Sequence, residues 1–245
     1  LPEEGIIAHY NVVAAKDVPA AVGRLSADTT FNVTIGAEAP VPVTILADDT
    51  STNTTILSLV KDVNNALEDA WLGGRIAAEA IGNQLILAAL DSYLLSGATP
   101  PSFVLASDAS FQMEVTVNGG TPDEQVLSET VTVLAEKTNG DDGTDANTSL
   151  EDLIADINRA LNSAFGGLVK AEPDGAAVQL RSYDETVTGF EVTDDTDSGP
   201  LGILAGTASL DSIASFQISA ASGLPELGLG TLSGGPLAAD NVDFV

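Results

Sequence analysis

The 245-residue chain contains no cysteine and only one histidine, one tryptophan and one methionine. Without cysteine there is no disulfide framework and no thiol chemistry. The single histidine, His9, lies in an apolar, strand-like stretch, where a packed or interface side chain fits better than a general base. Aromatic residues make up 4% of the chain, so its cores are expected to be Leu/Ile/Val/Ala packings. That scarcity also argues against a carbohydrate module with an exposed aromatic platform. Positive charge is scarce as well: 8 Lys+Arg stand against 36 Asp+Glu, a net charge of −28. A surface of that sign repels nucleic acid and anionic membranes and attracts cations. Halophilic adaptation is a second explanation of the same acidity. No apolar run approaches the roughly 20 residues a membrane helix needs, so no membrane insertion is expected. There is no G-x-S-x-G, no P-loop and no H-E-x-x-H, and Gly228-Leu229-Gly230 lacks the third glycine of a dinucleotide loop. Paired carboxylates occur, but a chain this acidic produces them by composition. No enzyme is expected.

What is present is a duplication. Asn147 to Phe165 reads NTSLEDLIADINRALNSAF, with Leu150, Leu153, Ile154, Ile157, Leu161, Ala164 and Phe165 at helical spacing on one face. Thr148 or Ser149 can cap the first turn, Glu151 and Asp152 suit the positive helix end, and Gly166-Gly167 stops it. Asn53 to Trp71, NTTILSLVKDVNNALEDAW, repeats the pattern before its own pair, Gly73-Gly74. Asn53, Leu59, Asp62, Asn64 and Leu67 recur as Asn147, Leu153, Asp156, Asn158 and Leu161. Upstream, Leu25 to Phe31 aligns with Leu105 to Phe111, each entering an alternating strand. Downstream, Ile76 to Leu87 aligns with Val169 to Leu180. Each unit therefore reads strand, strand, acidic loop, helix, strand, strand.

The expected fold is α+β and β-rich overall: two tandem β-β-α-β-β repeat units, each a small antiparallel sheet with one packed helix. The expected organisation is an extended N-terminal segment over residues 1–23, repeat unit one over 24–100, unit two over 101–233, and a C-terminal extended joint over 234–245. In unit one, Gly36 to Pro40 is the hairpin turn, and Pro40 and Pro42 suit an edge strand. Ser92 to Pro101 is expected to be a loop carrying the unit boundary. In unit two, Asn118-Gly119-Gly120 signals a tight turn. Phe216 to Ser219 reads as the last strand of that unit, and Leu224 to Gly230 as a short helical turn.

This order resembles the flagellin/hook IN-type repeat, carried here by Phe111-x-Met113-x-Val115, Val131-Thr132-Val133, the Asn147 to Leu161 helix and a Gly-led hairpin. Such repeats occur in flagellar hook-associated proteins and, in tandem, in giant acidic bacterial surface proteins that often carry RTX-type calcium repeats. Glu226 to Ser233 is similar to the segment closing units of those arrays, and Ala239 to Val242 to the joint into the next. The resemblance implies a secreted or cell-surface structural protein, a segment of a filament, matrix or RTX-adhesin-like array, and brings no catalytic residues. The alternatives are a monomeric adhesin or ligand-binding module and a flagellar hook-associated component. A start at Leu1 rather than Met is expected of a removed leader or of excision from a longer precursor.

Two kinds of site follow. Calcium takes six to eight oxygens, usually on a flexible loop. Asp141, Asp142 and Asp145 form one candidate cluster, Asp194, Asp195 and Asp197 a second, and Asp48 and Asp49 a weaker third. None has EF-hand or RTX spacing. The competing reading is a set of solvated loops whose acids favour nearby helix N-termini. The second site is an interface. Ile6, Ile7, His9, Tyr10, Val12 and Val13 form an apolar, β-prone segment without an obvious partner in its own repeat, and Val242 and Phe244 mirror it at the other end. Pairing within the chain and donation to a neighbour's sheet both satisfy such a strand, the latter giving a homo-oligomer or polymer. Asn32, Asn53 and Asn147 match the N-glycosylation pattern, but the last two already have work at helix starts.

Overall fold

A computed structural model describes residues 12–14, 23–213, 215–220, 224–228 and 237–238. Within these residues the chain is α+β and β-rich, with four antiparallel sheets. In chain order it runs through β1 (Val12–Ala14), β2 (Thr29–Ile35), β3 (Val41–Ile45), α1 (Ala47–Thr50), α2 (Ile56–Asp69), β4 (Ile76–Ile81) and β5 (Gln84–Ala89). It continues through β6 (Ser92–Ser96), β7 (Ala109–Val117), β8 (Gln125–Val133), α3 (Ala135–Asn139), α4 (Leu150–Phe165), β9 (Val169–Asp174) and β10 (Ala177–Ser182). Next come β11 (Val187–Asp194), β12 (Gly206–Thr207), β13 (Ser209–Asp211), β14 (Phe216–Ala220) and β15 (Leu237–Ala238).

Two compact units result: Leu1–Leu90 together with Ser212–Val245, and Asp91–Asp211. This differs from the expected division at 100/101 with a second unit running to 233. The reason is strand pairing. β14, expected to close the second unit, pairs antiparallel with β2, Phe216 opposite Ile35 and Ile218 opposite Val33. The second unit therefore lies, along the chain, between β5 and β14 of the first, so the units are nested in sequence rather than tandem. The expected loop at Ser92 to Pro101 begins as a strand, β6, which pairs with β10.

The first unit has two sheets, ordered β1-β5-β4 and β15-β14-β2-β3. β2 alternates fully buried with half-buried residues, placing Phe31 and Val33 in the core. Its partner β3 is an edge strand carrying Pro42, which has no N–H to leave unpaired. α2 buries Leu59, Val63, Ala66 and Leu67, each full Leu burial contributing about 2 kcal/mol before chain entropy. The Thr55 hydroxyl caps it by accepting from the Ser58 N–H at 3.3 Å. The helix stops ahead of the expected Gly pair, with a left-handed turn at Trp71 (φ 58°).

The second unit also has two sheets, ordered β13-β6-β10-β9 and β12-β11-β7-β8. α4 buries Leu150, Leu153, Ile154, Ile157, Leu161 and Phe165. Of the two expected caps the structure uses Ser149, in a reciprocal box with Asp152. Gly166 ends the helix in the left-handed region (φ 65°). At the base of this unit two backbones cross closely. The Gly97 N–H donates to Val178 O at 3.0 Å and the Ala98 N–H to Gly202 O at 2.7 Å. A β-carbon on Gly97 would land on the carbonyl oxygens of Gly202 and Val178.

Candidate functional site

Each helix is held by a polar clasp, and the two clasps match bond for bond. In the second unit, Asn147 Nδ2 donates to Asp156 Oδ2 at 2.9 Å and to the Phe103 carbonyl at 3.2 Å. In the first, Asn53 Nδ2 donates to Asp62 Oδ2 at 2.6 Å and to the Gly23 carbonyl at 2.9 Å. Two residues further along the helix, Asn158 accepts from the Ala171 N–H at 2.6 Å and donates to the Ala171 carbonyl at 3.0 Å. Asn64 does the same with Ala78, at 2.7 and 3.0 Å. Among the described strands β4 and β9 are edge strands, so these amides occupy backbone groups that no described neighbouring strand takes.

The chain entering each unit is tied down by the same logic. The Thr50 hydroxyl accepts from the Leu25 N–H at 2.9 Å and donates to the Ala47 carbonyl at 2.9 Å. Thr138 does so with Leu105 and Ala135, at 2.9 and 3.0 Å. Asp28 and Asp108 each accept the next free helix N–H, from Ala47 and Ala135, at 2.9 Å. The acidic stretches read as loops thus begin as short helices, α1 and α3, because a side-chain carboxylate and a threonine satisfy their first turn.

The candidate metal residues are dispersed into local turns. Asp48 and Asp49 are exposed on the first turn of α1. Asp142 binds Lys137 Nζ at 2.9 Å and accepts from the Thr144 hydroxyl and N–H. The Lys137 ammonium, then Thr144, hold that carboxyl well below the usual carboxylate range, and Asp142 in turn raises Lys137. Asp141 accepts from Asn139 Nδ2 at 2.8 Å, and Asp145 is exposed nearby. Asp194 accepts from the Thr196 hydroxyl and N–H, which lower its pKa. Asp195 accepts from the Ala205 N–H at 2.9 Å, and Asp197 is exposed. Among the described residues no three His, Cys, Asp or Glu side chains are grouped where they could hold a metal ion.

Of the interface residues, Ile6, Ile7, His9, Tyr10, Val242 and Phe244 lie outside the described residues. Val12 and Val13 lie in β1, which pairs antiparallel with β5 of its own unit, Val12 opposite Ala88 and Val13 opposite Leu87. Of the two ways of satisfying this strand, pairing within the chain is the one observed, so the ladder on that side is not free to be donated to a neighbour.

The sequence reading missed a buried charge cluster. Arg181 on β10 donates to Glu172 on β9 at 3.0 Å, to the Ser92 hydroxyl on β6 at 2.7 Å and to Asp211 on β13 at 2.6 Å. Glu172 also accepts from Tyr183 Oη at 2.7 Å and Gln179 Nε2 at 3.0 Å. Arg181 and Glu172 side chains are 3% and 2% exposed. Every partner is satisfied, which is the condition for tolerating charge in a core. Its signal in the sequence was an arginine inside an apolar strand, in a chain with only 8 Lys+Arg.

No protein-family model matches the chain, and no curated protein matches it. Among solved structures it is similar to the flagellar cap protein FliD from Helicobacter pylori, at 14% identity and a TM-score of 0.31. That similarity covers 82% of this chain and 60% of the FliD chain, so the chain spans less than two thirds of that protein.

Proposed function

We propose that this chain is a structural repeat segment of a bacterial secreted or cell-surface protein, a piece of a filament, matrix or giant adhesin, and that it has no enzymatic activity of its own. Its two units are repeats of the β-β-α-β-β, IN-like type, the second nested in the first. The observation that carries this reading is the duplicated clasp: Asn53/Asp62/Asn64 and Asn147/Asp156/Asn158 make the same bonds to the same backbone positions. The residues most alike between the two halves thus serve to lock a helix onto a sheet edge, a mechanical role. With a net charge of −28, close packing of copies requires cations, and calcium is the expected one.

Sedimentation and electron microscopy of the purified chain, with calcium and then with excess chelator, test this. Assemblies that dissolve with chelator support a calcium-linked polymer. Assemblies indifferent to it keep the polymer and remove calcium. A monomer under both conditions overturns self-assembly and favours the second reading, a monomeric adhesin module, which the pairing of β1 within its own chain supports.

A further inference from the structure

The second unit is joined to the first by two peptide links, Leu90 to Asp91 and Asp211 to Ser212. The host strands next to those links are β5 and β14. Leu85 and Leu87 of β5 and Phe216 and Ile218 of β14 lie in one hydrophobic core, so their separation is fixed while the first unit is folded. β14 also pairs along its whole length with β2, from Phe216 opposite Ile35 to Ala220 opposite Phe31. A pull on the chain from before β2 and from after β14 therefore crosses that ladder directly. The chain between Ile35 and Phe216, the whole second unit included, is a closed loop beside this path and carries no tension until the ladder parts.

Once the ladder parts, tension enters the second unit at Ser92 and Asp211. These are the first residue of β6 and the last of β13, opposite each other in an antiparallel pair. Strands drawn apart from such an end separate one hydrogen bond at a time, because each bond lies across the strands and takes the full pull in turn. One side chain stands against that peeling. Arg181 Nη1 donates to Ser92 Oγ at 2.7 Å and to Asp211 Oδ2 at 2.6 Å, so one nitrogen ties both loaded residues to β10. Arg181 is itself held by Glu172 on β9 at 3.0 Å and is 3% exposed, and charge-assisted bonds are strong where water is excluded. We propose that the nested topology is a two-stage tension device: the first unit releases before the second, and Arg181 is the clip that holds the second closed once the load reaches it. The order of release follows from chain connectivity and goes beyond the assembly reading above, holding whether or not copies of the chain associate.

Single-molecule pulling on the full chain, with handles on its two ends, tests this. Two extension steps are expected, the second being that of residues 91–211, about 400 Å when drawn out. Tyr93→Cys with Leu210→Cys, which face each other in register in a chain without other cysteines, identifies the steps. Oxidation of that pair should abolish the second step and leave the first at its original force. Loss of the first step instead would show that the second unit opens before its host and would overturn the order. A single step for both units would overturn the clip. Asp211→Ala then reads the clip itself. At constant force it should speed the second step by about ten-fold or more, one charge-assisted bond being lost, and leave the first step unchanged. The same substitution is next read with handles on Asp123→Cys and Ala176→Cys, exposed positions in two turns of the second unit, where the load does not start at β6 and β13. There the acceleration should stay under about three-fold, since the Arg181 contact is not the first to be strained. Equal acceleration in the two directions of pull would make the bond a general stabiliser and overturn its role as a clip.

Discussion

Ser92 and Asp211 lie opposite each other in register across β6 and β13, so the second unit begins and ends at one place on its own sheet. Both are bonded to the same guanidinium, that of Arg181. A segment whose ends are paired and pinned within itself needs nothing from its host to close. The fragment 91–211 is therefore expected to fold alone, giving a cooperative urea transition and dispersed amide NMR signals. A fragment without a transition would show that the host unit supplies stability the pairing does not.

Removing Arg181 leaves Glu172 buried with its charge uncompensated. Arg181→Leu should destabilise the second unit by about 3–5 kcal/mol, the usual result of breaking a buried pair from one side. Arg181→Leu combined with Glu172→Leu should recover part of that loss, because the stranded carboxylate is gone. Chemical denaturation of these two variants and of Glu172→Leu alone gives the coupling. Equal losses in the single and double variants would mean that the charge pair is not what stabilises this strand layer.

Asn158 satisfies both the N–H and the carbonyl of Ala171 on an edge strand, and Asn64 does so for Ala78. Asn158→Ala and Asn64→Ala are each expected to cost about 2 kcal/mol, two bonds being lost and partly buried groups left open. Amide exchange should quicken at Ala171 in one variant and at Ala78 in the other. Similar costs at the two positions are the quantitative signature of a duplicated clasp, and a loss confined to one of them would break the equivalence.

Asp152 accepts from the Thr148 N–H at 2.8 Å, the Thr148 hydroxyl at 3.1 Å and the Ser149 N–H at 3.0 Å. The Thr148 N–H above all holds its carboxyl below the ordinary aspartate value. A carboxylate lowered by folding stabilises fully above its unfolded pKa of about 3.9, and that stabilisation is lost as pH falls through the folded value. Asp152→Asn should therefore lower the urea midpoint at pH 7, and the gap to the parent should shrink by roughly half or more on going to pH 3. Comparing the two proteins at each pH cancels the general relief of acid–acid repulsion. A gap constant with pH would mean that the ionised cap contributes nothing.

Both long helices, their buried faces, the Ser149 cap and Gly166 stop of the second, the Asn118 turn and the edge position of Pro42 were legible in the chain. A helix is a local object: its hydrogen bonds close within one turn, and its burial is written at a spacing of three or four residues. The clasp residues stood out because the chain states them twice. Less was legible wherever a partner lies far along the chain. Ser92–Ser96 reads as a connection because nothing near it announces β10 and β13 as its neighbours. α1 and α3 read as acidic loops because the carboxylates that cap them, Asp28 and Asp108, sit 19 and 27 residues upstream. The acid clusters stand out because composition places aspartates together in sequence, whereas the local turns that give Asp142 to Lys137 and Thr144, Asp194 to Thr196 and Asp195 to the Ala205 N–H are set by the folded backbone.

By itself, then, the sequence determined two helices and their apolar faces, since both rest on short-range spacing and side-chain identity. Only the tertiary structure decided that Phe216–Ala220 returns to β2 across the whole inserted unit, that β1 is spent within its own chain, and that Arg181 gathers both ends of the insert. The physical reason is that strands pair through backbone groups every residue carries. An alternating stretch says that it will join a sheet, and only the packed molecule settles which edge it joins.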